Sequence, residues 1–370
     1  MDFTFSEKQL AYRRNIRRVL MTEVPPELLR ELCDADAGRA YGLWQLFTEL
    51  GLTALSVPLA HGGRGGSDVD WVLMAQEAGY YALPGPLLHT AWIASALLAA
   101  LPDGALAAHW LPRIAKGESR LALGHPLHRL VADAHVADLL LLHDRDEVHA
   151  LLPAQVRLTR NPSLDPSRNL YRVDWQPSAA TRVADADTGR ALWDRVLDRA
   201  ALSVAAECSG LAMRMLDLAI DHSAQRRQFG KPIGAFQAVK HQLADVAVKI
   251  EFAKPVMFHA AHALQHGDPL AAMYVSHAKL AMGDVARLAV RHGIQVHGAP
   301  GYTWDGDLQI FMKRVWALDA AWGTRTFHTA RVAAAVLRAD AAIGARDTFP
   351  RPAPTLVRPS AAPGPRTPWA

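Results

Sequence analysis

The sequence predicts a mostly α-helical protein with a small β unit set between two helical parts. Three observations carry this. Leu43, Phe47 and Leu50 fall at i, i+4 and i+7, the spacing of one buried helix stripe. Ala137–Leu142 (ADLLLL) is a short apolar run bounded by charges, and the alternating Leu170–Trp175 follows it as a second strand candidate. Beyond them the chain turns helical again, and Ala200–Ala206 carries no charge, so the middle of a long helix should be buried.

In order, residues 1–117 form the first helical part. Gly51 supplies a natural helix stop and Pro58 prevents immediate continuation. A further helix covers Trp71–Tyr81, and another runs from Leu87 to Ala100 after the Leu83-Pro84-Gly85-Pro86 breaker. Residues 118–186 form the β unit, with Ala137–Leu142 and Val148–Leu152 as a hairpin around the charged turn His143–Glu147. Residues 187–345 are helical. One helix spans about Ala191 to Arg226 and another Ala235 to Gln265, with Pro255 expected to kink it. Asp268 and Pro269 cap and open the next helix, which ends near Gly293–Gly301. The last helix begins near Asp307, breaks near Gly323 and reaches Gly344. Residues 346–370 make a tail; its last 22 residues hold seven prolines and are expected to be disordered.

A chain of 370 residues is too long for one small core. Half of it is hydrophobic and 21% charged, an ordinary composition for a soluble globular protein. No apolar run is long enough to span a membrane, and the N-terminus lacks the pattern of a secretory signal. The two cysteines, Cys33 and Cys208, lie far apart, as suits a reduced cytoplasmic protein. The net charge of +4 is mild and its arginines are scattered, so nucleic acid is not an expected partner. A phosphate-bearing ligand suits the same balance.

Three motifs invite chemistry. Gly62–Ser67 lacks the Lys-Ser/Thr ending of a phosphate loop and is expected to be a flexible interhelical loop. His259, His262 and His266 share a helix face but lack a further acidic or cysteine ligand, so no metal site is expected. The stretch Arg226–Asp245 is a helical hairpin whose tip carries Arg226, Gln228 and Gln237. Such a tip holds a pyrophosphate through charge-assisted bonds or is merely a capped turn, and the residues alone leave both open.

The segment Arg226–Gln237 resembles the acyl-CoA dehydrogenase pattern R-x-x-F-G-x-x-I-x-x-x-Q. Gln295–Tyr302 (QVHGAPGY) is similar to that family's Q-x-x-G-G-x-G-Y, and Gly51–Gly66 resembles its N-terminal glycine-rich loop. The resemblance implies an N-terminal helical domain, a central β domain and a C-terminal four-helix bundle. It implies FAD as cofactor, an acyl-CoA substrate, electron-transfer flavoprotein as acceptor, and a dimer or tetramer in which one subunit's hairpin tip grips FAD held mainly by its neighbour. By motif, Arg226, Phe229 and Gln237 would meet the phosphates and nearby ribose, and Gln295 and Gly298 the adenosine end.

The chain also departs from the family. The reaction needs a glutamate to remove the α-proton while the β-hydrogen leaves as hydride. One family position for that base matches Trp322, within Ala321–Thr324, and the other matches Ala200, ten residues before Gly210. Neither is acidic, so no catalytic residue is assigned. Asp198 and Glu207 lie near the second place but are expected to be ordinary helix carboxylates. Asp198 is about 200° around the helix from Ala200, and Glu207 about 10 Å along it. The family's segment resembling T-E-P-x-x-G-S-D is absent, and Gly124-His125-Pro126-Leu127 takes its place. The expectation is a non-catalytic subunit of a hetero-oligomeric acyl-CoA dehydrogenase, of the kind found in bacterial steroid side-chain degradation, that lends part of an FAD site to a sister subunit. The alternatives are an active homo-oligomer with a displaced base, or a flavin-dependent monooxygenase on the same fold.

Overall fold

A computed structural model describes residues 4–34, 38–338 and 341, so the proline-rich tail lies outside the described residues. The N-terminal part holds α1 (Glu7–Glu23), α2 (Pro26–Asp34), α3 (Gly38–Glu49) and α4 (Asp68–Tyr80). Reciprocal capping boxes start two of these helices: Ser6 with Gln9 on α1, and Ser67 with Asp70 on α4. Glu77 of α4 is fully buried and bonded to Arg13 of α1 at 2.6 Å, which ties the first helix down over the fourth.

The helix expected over Leu87–Ala100 has a different geometry. Leu88–Ala94 is π-helical and only Ser95–Ala99 (α5) is α-helical, followed by α6 (Gly104–Ala115). Periodicity alone does not separate these windings. The π turn aims His89 into the centre of the molecule, and its Thr90 hydroxyl bonds both the amide and the carbonyl of Leu121, at 2.9 and 3.0 Å.

The β unit is richer than the expected hairpin plus one strand. One sheet has the order β1 (Leu121–Gly124), β3 (Leu139–Asp144), β4 (Glu147–Leu151), β7 (Arg182–Ala184). A second has the order β2 (Val131–Ala132), β6 (Leu170–Asp174), β5 (Arg157–Asn161). The β3–β4 hairpin is present, turning at Arg145-Asp146, both with positive φ. The unbroken ADLLLL run has a physical cause. Leu139 and Leu141 face the helices, while Leu140 and Leu142 pack with Ala122, Val131 and Leu151 toward the second sheet. A strand buried on both faces loses the polar alternation of a one-sided one.

The C-terminal part consists of α7 (Ala186–Gln225), the ribbon β8 (Arg227–Gln228) and β9 (Lys231–Pro232), α8 (Gln237–Gln265), α9 (Ala271–His297), α10 (Leu308–Asp319) and α11 (Arg325–Val336). Helix α8 continues through Pro255. Helix α9 starts later than expected, with Leu270 and not Asp268 at its N-cap; Asp268 accepts from the Leu270 amide at 2.7 Å in the turn before it, because Pro269 is spent in that turn. Helix α7 crosses α4 without room for side chains. A Cβ on Gly79 would meet the Glu207 carbonyl oxygen at 2.0 Å, and one on Gly210 would meet the Gln76 carbonyl oxygen at 2.0 Å. Beside them Gln76 bonds Ser209 at 2.8 Å. This crossing sets which α7 residues reach the centre. No described helix is long and apolar enough to cross a membrane.

Gly210→Ala is expected to lower stability by about 1–3 kcal/mol, because the α4–α7 contact must open. Urea unfolding measures it, and an unchanged midpoint would contradict the close crossing.

Candidate functional site

The residues at the two family base positions are both buried, Ala200 completely and Trp322 at 2% exposure. Trp322 sits in a turn between α10 and α11, with φ of 55° followed by 99° at Gly323. A left-handed tryptophan is strained by about 1–3 kcal/mol, so its surroundings must hold it. They do. The ammonium of Lys279, buried on α9, donates to the carbonyls of Ala321 and Gly323 on either side of it. His328 Nε2 donates to the Trp322 carbonyl at 2.9 Å, and its Nδ1 lies 3.1 Å from the Ser276 hydroxyl. Burial pushes Lys279 down to about 8 and His328 down to about 4.

The indole is thereby driven against the end of β1. His128 stacks on Trp322, centroids 5.0 Å apart and planes 9° apart, and His125 lies at 5.8 Å. His89 of the π turn approaches from the N-terminal part, 3.4 Å from the indole nitrogen. His143 and Trp193 close the cluster around His125. Burial pushes His89 and His125 down to about 4 and His128 down to about 3, so these rings are neutral near pH 7. The two segments that would border a flavin ring and its substrate, at Gly124–Leu127 and Ala321–Thr324, are thus joined through their own side chains. A planar group stacked on this face of Trp322 would have to displace His128.

Below the cluster lies a small cavity of about 50 Å³, lined by Trp322, His89, Asp133, Arg168, Glu207 and Arg314 among others. Arg314 joins the three parts of the chain: it bonds Asp165, the Ser167 hydroxyl at 2.6 Å and the Leu83 carbonyl at 3.0 Å. Glu207 enters the cavity beside this network. Burial pushes its carboxyl up to about 7 against the pull of Arg314 and Arg168, and pushes Asp133 up to about 6. Asp198 is elsewhere, paired with Arg331 at 2.8 Å. Glu207 is therefore no ordinary helix carboxylate, contrary to expectation, whereas Asp198 is engaged in a helix–helix ion pair.

The hairpin tip is an open structure. Phe229 and Gly230, with φ of 51° and 77°, make the two-residue turn of β8 and β9. Phe229 is 90% exposed, and Arg226, Gln228 and Gln237 are exposed around it. Arg226 makes no ion pair among the described residues. His222 and His297 stack at 4.3 Å, which brings the end of α9, with exposed Gln295 and Gly298, beside the end of α7. Gly298 has φ of 68°, and a Cβ added there would meet nothing within 4 Å, so its backbone is open to close approach. The tip and the end of α9 thus expose the guanidinium of Arg226, the amides of Gln228, Gln237 and Gln295, and an open glycine.

The other motifs are structural. In Gly62–Ser67 the amides of Arg64, Gly65 and Gly66 donate to the carbonyls of Ala54, Val57 and Leu55, so this is a built turn with those donors already spent. His262 stacks on His266, and His259 meets Tyr274 edge to face. Asp144, Glu147 and His149 approach one another, but His149 already engages Thr181 and Glu147. Sequence reasoning missed His89, His128, Arg168 and Arg314. Glu207 carried a legible signal, as the lone charge in the stretch 200–213.

A histidine held neutral below its ordinary value binds protons when unfolded that it refuses when folded. Stability therefore falls as pH drops from about 6.5 toward 4. Glu207 and Asp133, raised by burial, act in the opposite sense over part of that window, so the test is differential. His128→Asn is expected to lose less of its melting temperature than the parent between pH 6.5 and 4. An equal loss would contradict the buried neutral ring.

The residues 6–118 match the model of the acyl-CoA dehydrogenase N-terminal domain, and 187–337 that of the acyl-CoA dehydrogenase C-terminal domain. Acyl-CoA dehydrogenase IpdE2 of Mycobacterium tuberculosis is 33% identical over 318 residues, covering 83% of this chain and 91% of that protein. Among solved structures, butyryl-CoA dehydrogenase from Megasphaera elsdenii superposes with a TM-score of 0.82 at 20% identity, over 91% of this chain and 100% of that one. A chain of the ChsE4-ChsE5 complex from Mycobacterium tuberculosis superposes with a TM-score of 0.79 at 21% identity, over 91% and 99%. Helical domain, two-sheet β unit and helical bundle follow in the same order, and the chain belongs to the acyl-CoA dehydrogenase family.

Proposed function

We propose that this chain is a subunit of an FAD-dependent acyl-CoA dehydrogenase that carries no base of its own at either family position and completes the FAD site of a sister subunit. The observation that carries the proposal is the opposition between the two ends of the site. The hairpin tip and the end of α9 present Arg226, Phe229, Gln237, Gln295 and Gly298 outward, while Trp322, at a family base position, is stacked on His128 inside. An outward tip suits FAD held by a neighbouring subunit, and the absence of an acid at Ala200 and Trp322 is what assigns the base to that neighbour.

In that assembly Arg226 would hold the pyrophosphate by charge-assisted bonds, and Gln237 the adjoining phosphate or ribose. Gln295 and the Gly298 backbone would lie against the adenosine. The flavin of FAD supplies the hydride acceptor for α,β-dehydrogenation of an acyl-CoA, and the sister subunit supplies the base. Electrons pass on to electron-transfer flavoprotein, as in the family. The bundle surface supports association. Ala244, Val248 and Phe252 are exposed at one-turn spacing along α8, Val248 at 52% and Phe252 at 77%. The structural likeness to a chain of a two-component complex, ChsE4-ChsE5, points the same way.

A second reading has one observation in its favour. Glu207 lies in the cavity beneath Trp322 with its carboxyl near neutrality, the condition of a general base. On that reading the lone chain is an active homo-oligomer and Glu207 removes the α-proton.

The chain purified alone is expected to hold no stoichiometric FAD and to oxidise no acyl-CoA with an artificial acceptor. Co-purified with an acyl-CoA dehydrogenase encoded beside it, the pair is expected to do both. Turnover by the lone chain, abolished in Glu207→Gln, would establish the second reading instead. In the active assembly Arg226→Ala is expected to weaken FAD retention at least tenfold, the loss of one charge-assisted contact of about 1.5–3 kcal/mol. Unchanged retention would refute the tip's role.

A further inference from the structure

Two titratable side chains lie between the residues proposed to grip FAD and have no part in that grip so far. His222 stands one helical turn before Arg226 on α7, and His297 is the last residue of α9, next to Gly298. Their rings stack with centroids 4.3 Å apart and planes 25° apart, so the pair bridges the hairpin tip and the end of α9. Both are half-buried, at the edge of the open surface that holds Arg226, Gln295 and Gly298. The His297 Nδ1–H donates to the Gly293 carbonyl at 2.8 Å, which leaves Nε2 as the nitrogen able to take a proton. His222 faces the His297 ring from α9 and the Arg226 guanidinium at the end of its own helix. No carboxylate answers either ring among the described residues. Desolvation holds both rings below the ordinary histidine value, and at His222 the neighbouring cations add to it. Such a cluster of cationic and latent cationic groups lacks only an anion, and an anion placed there favours the protonated ring.

We propose that the His222–His297 pair takes up one proton when FAD binds and, beside Arg226, becomes part of the cationic seat for the FAD pyrophosphate. The inference rests on the FAD reading above and adds a pH dependence to it. A second proton would set like charges on rings 4.3 Å apart, so the two histidines titrate as a unit that holds one. The proton comes from solvent, no covalent bond changes, and the ionised pyrophosphate supplies the opposing charge. Because the FAD-bound form carries more protons than the free form, FAD is held more tightly as pH falls through the histidine range.

FAD titrated calorimetrically into the flavin-free assembly, in two buffers of different ionisation enthalpy, reads both affinity and proton uptake. The parent is expected to take up about one proton near pH 7 and to bind FAD about tenfold more tightly at pH 6 than at pH 8. The double variant His222→Phe with His297→Phe keeps two packed rings and removes their titration. It is expected to bind FAD without proton uptake and with equal affinity at both pH values. If the double variant does not fold, each substitution made singly is expected to lower the uptake, and an unchanged uptake in both would overturn the proposal. Uptake persisting in the double variant, or affinity independent of pH in the parent, would overturn it too and leave the pair as packing alone. Arg226→Ala separates this inference from the reading beneath it. Affinity that falls in Arg226→Ala but does not vary with pH in the parent sinks the proton uptake alone, whereas affinity indifferent to Arg226 sinks the tip's role and the inference with it.

Discussion

The two hydrogen bonds that Lys279 donates to the carbonyls of Ala321 and Gly323 decide what the centre of this molecule can be. They clamp a left-handed turn from both sides, and the turn has one direction in which to send the Trp322 indole. That direction is the end of β1, where His125 and His128 meet it. A charged side chain is unusual in such a place, and its charge makes the clamp: a cation desolvated to this extent keeps its proton only if carbonyl dipoles surround it. The π turn at Leu88–Ala94 completes the arrangement by delivering His89 to the same indole.

One fold is thereby divided in two. The inner end, at Trp322, is closed by aromatic contacts, while the hairpin tip is open and polar. These ends belong to different parts of the chain, so one can be lost without the other. The scaffold between them stays rigid through buried polar contacts that cross domain limits. Arg314 ties α10 to the β unit and to Leu83, and Asp68 of α4 accepts from Trp92 and from Arg199 of α7. Removing one partner of such a pair leaves an uncompensated buried charge, which is why they fix the relative placement of the parts so firmly.

Much of the fold was legible because periodic burial leaves a periodic sequence. Although Leu50 falls just past α3 and Asp268 in the turn before α9, Leu43 and Phe47 on α3 and the uncharged middle of α7 announce themselves locally. The short strands β1, β2, β5 and β7 did not, because their pairing is non-local and β5 is largely exposed. The π winding was hidden for a related reason: an apolar run buried on all sides has no stripe by which to judge its turn. At the site, the tip motif was legible because a turn and its flanking polar residues are contiguous. The cavity was not. Arg168, Arg314, Glu207 and Asp133 come from four separated segments and meet only through packing, and only the isolation of Glu207 in an apolar stretch hinted at its setting.

The role proposed for this chain is to grip one end of an FAD whose ring lies elsewhere. The most direct measurement is an experimental structure of the FAD-loaded assembly. The expected result is the FAD pyrophosphate within hydrogen-bond reach of Arg226, the flavin ring in the sister subunit, and Trp322 still stacked on His128. A flavin ring seated against Trp322 of this chain, with His128 displaced, would contradict it.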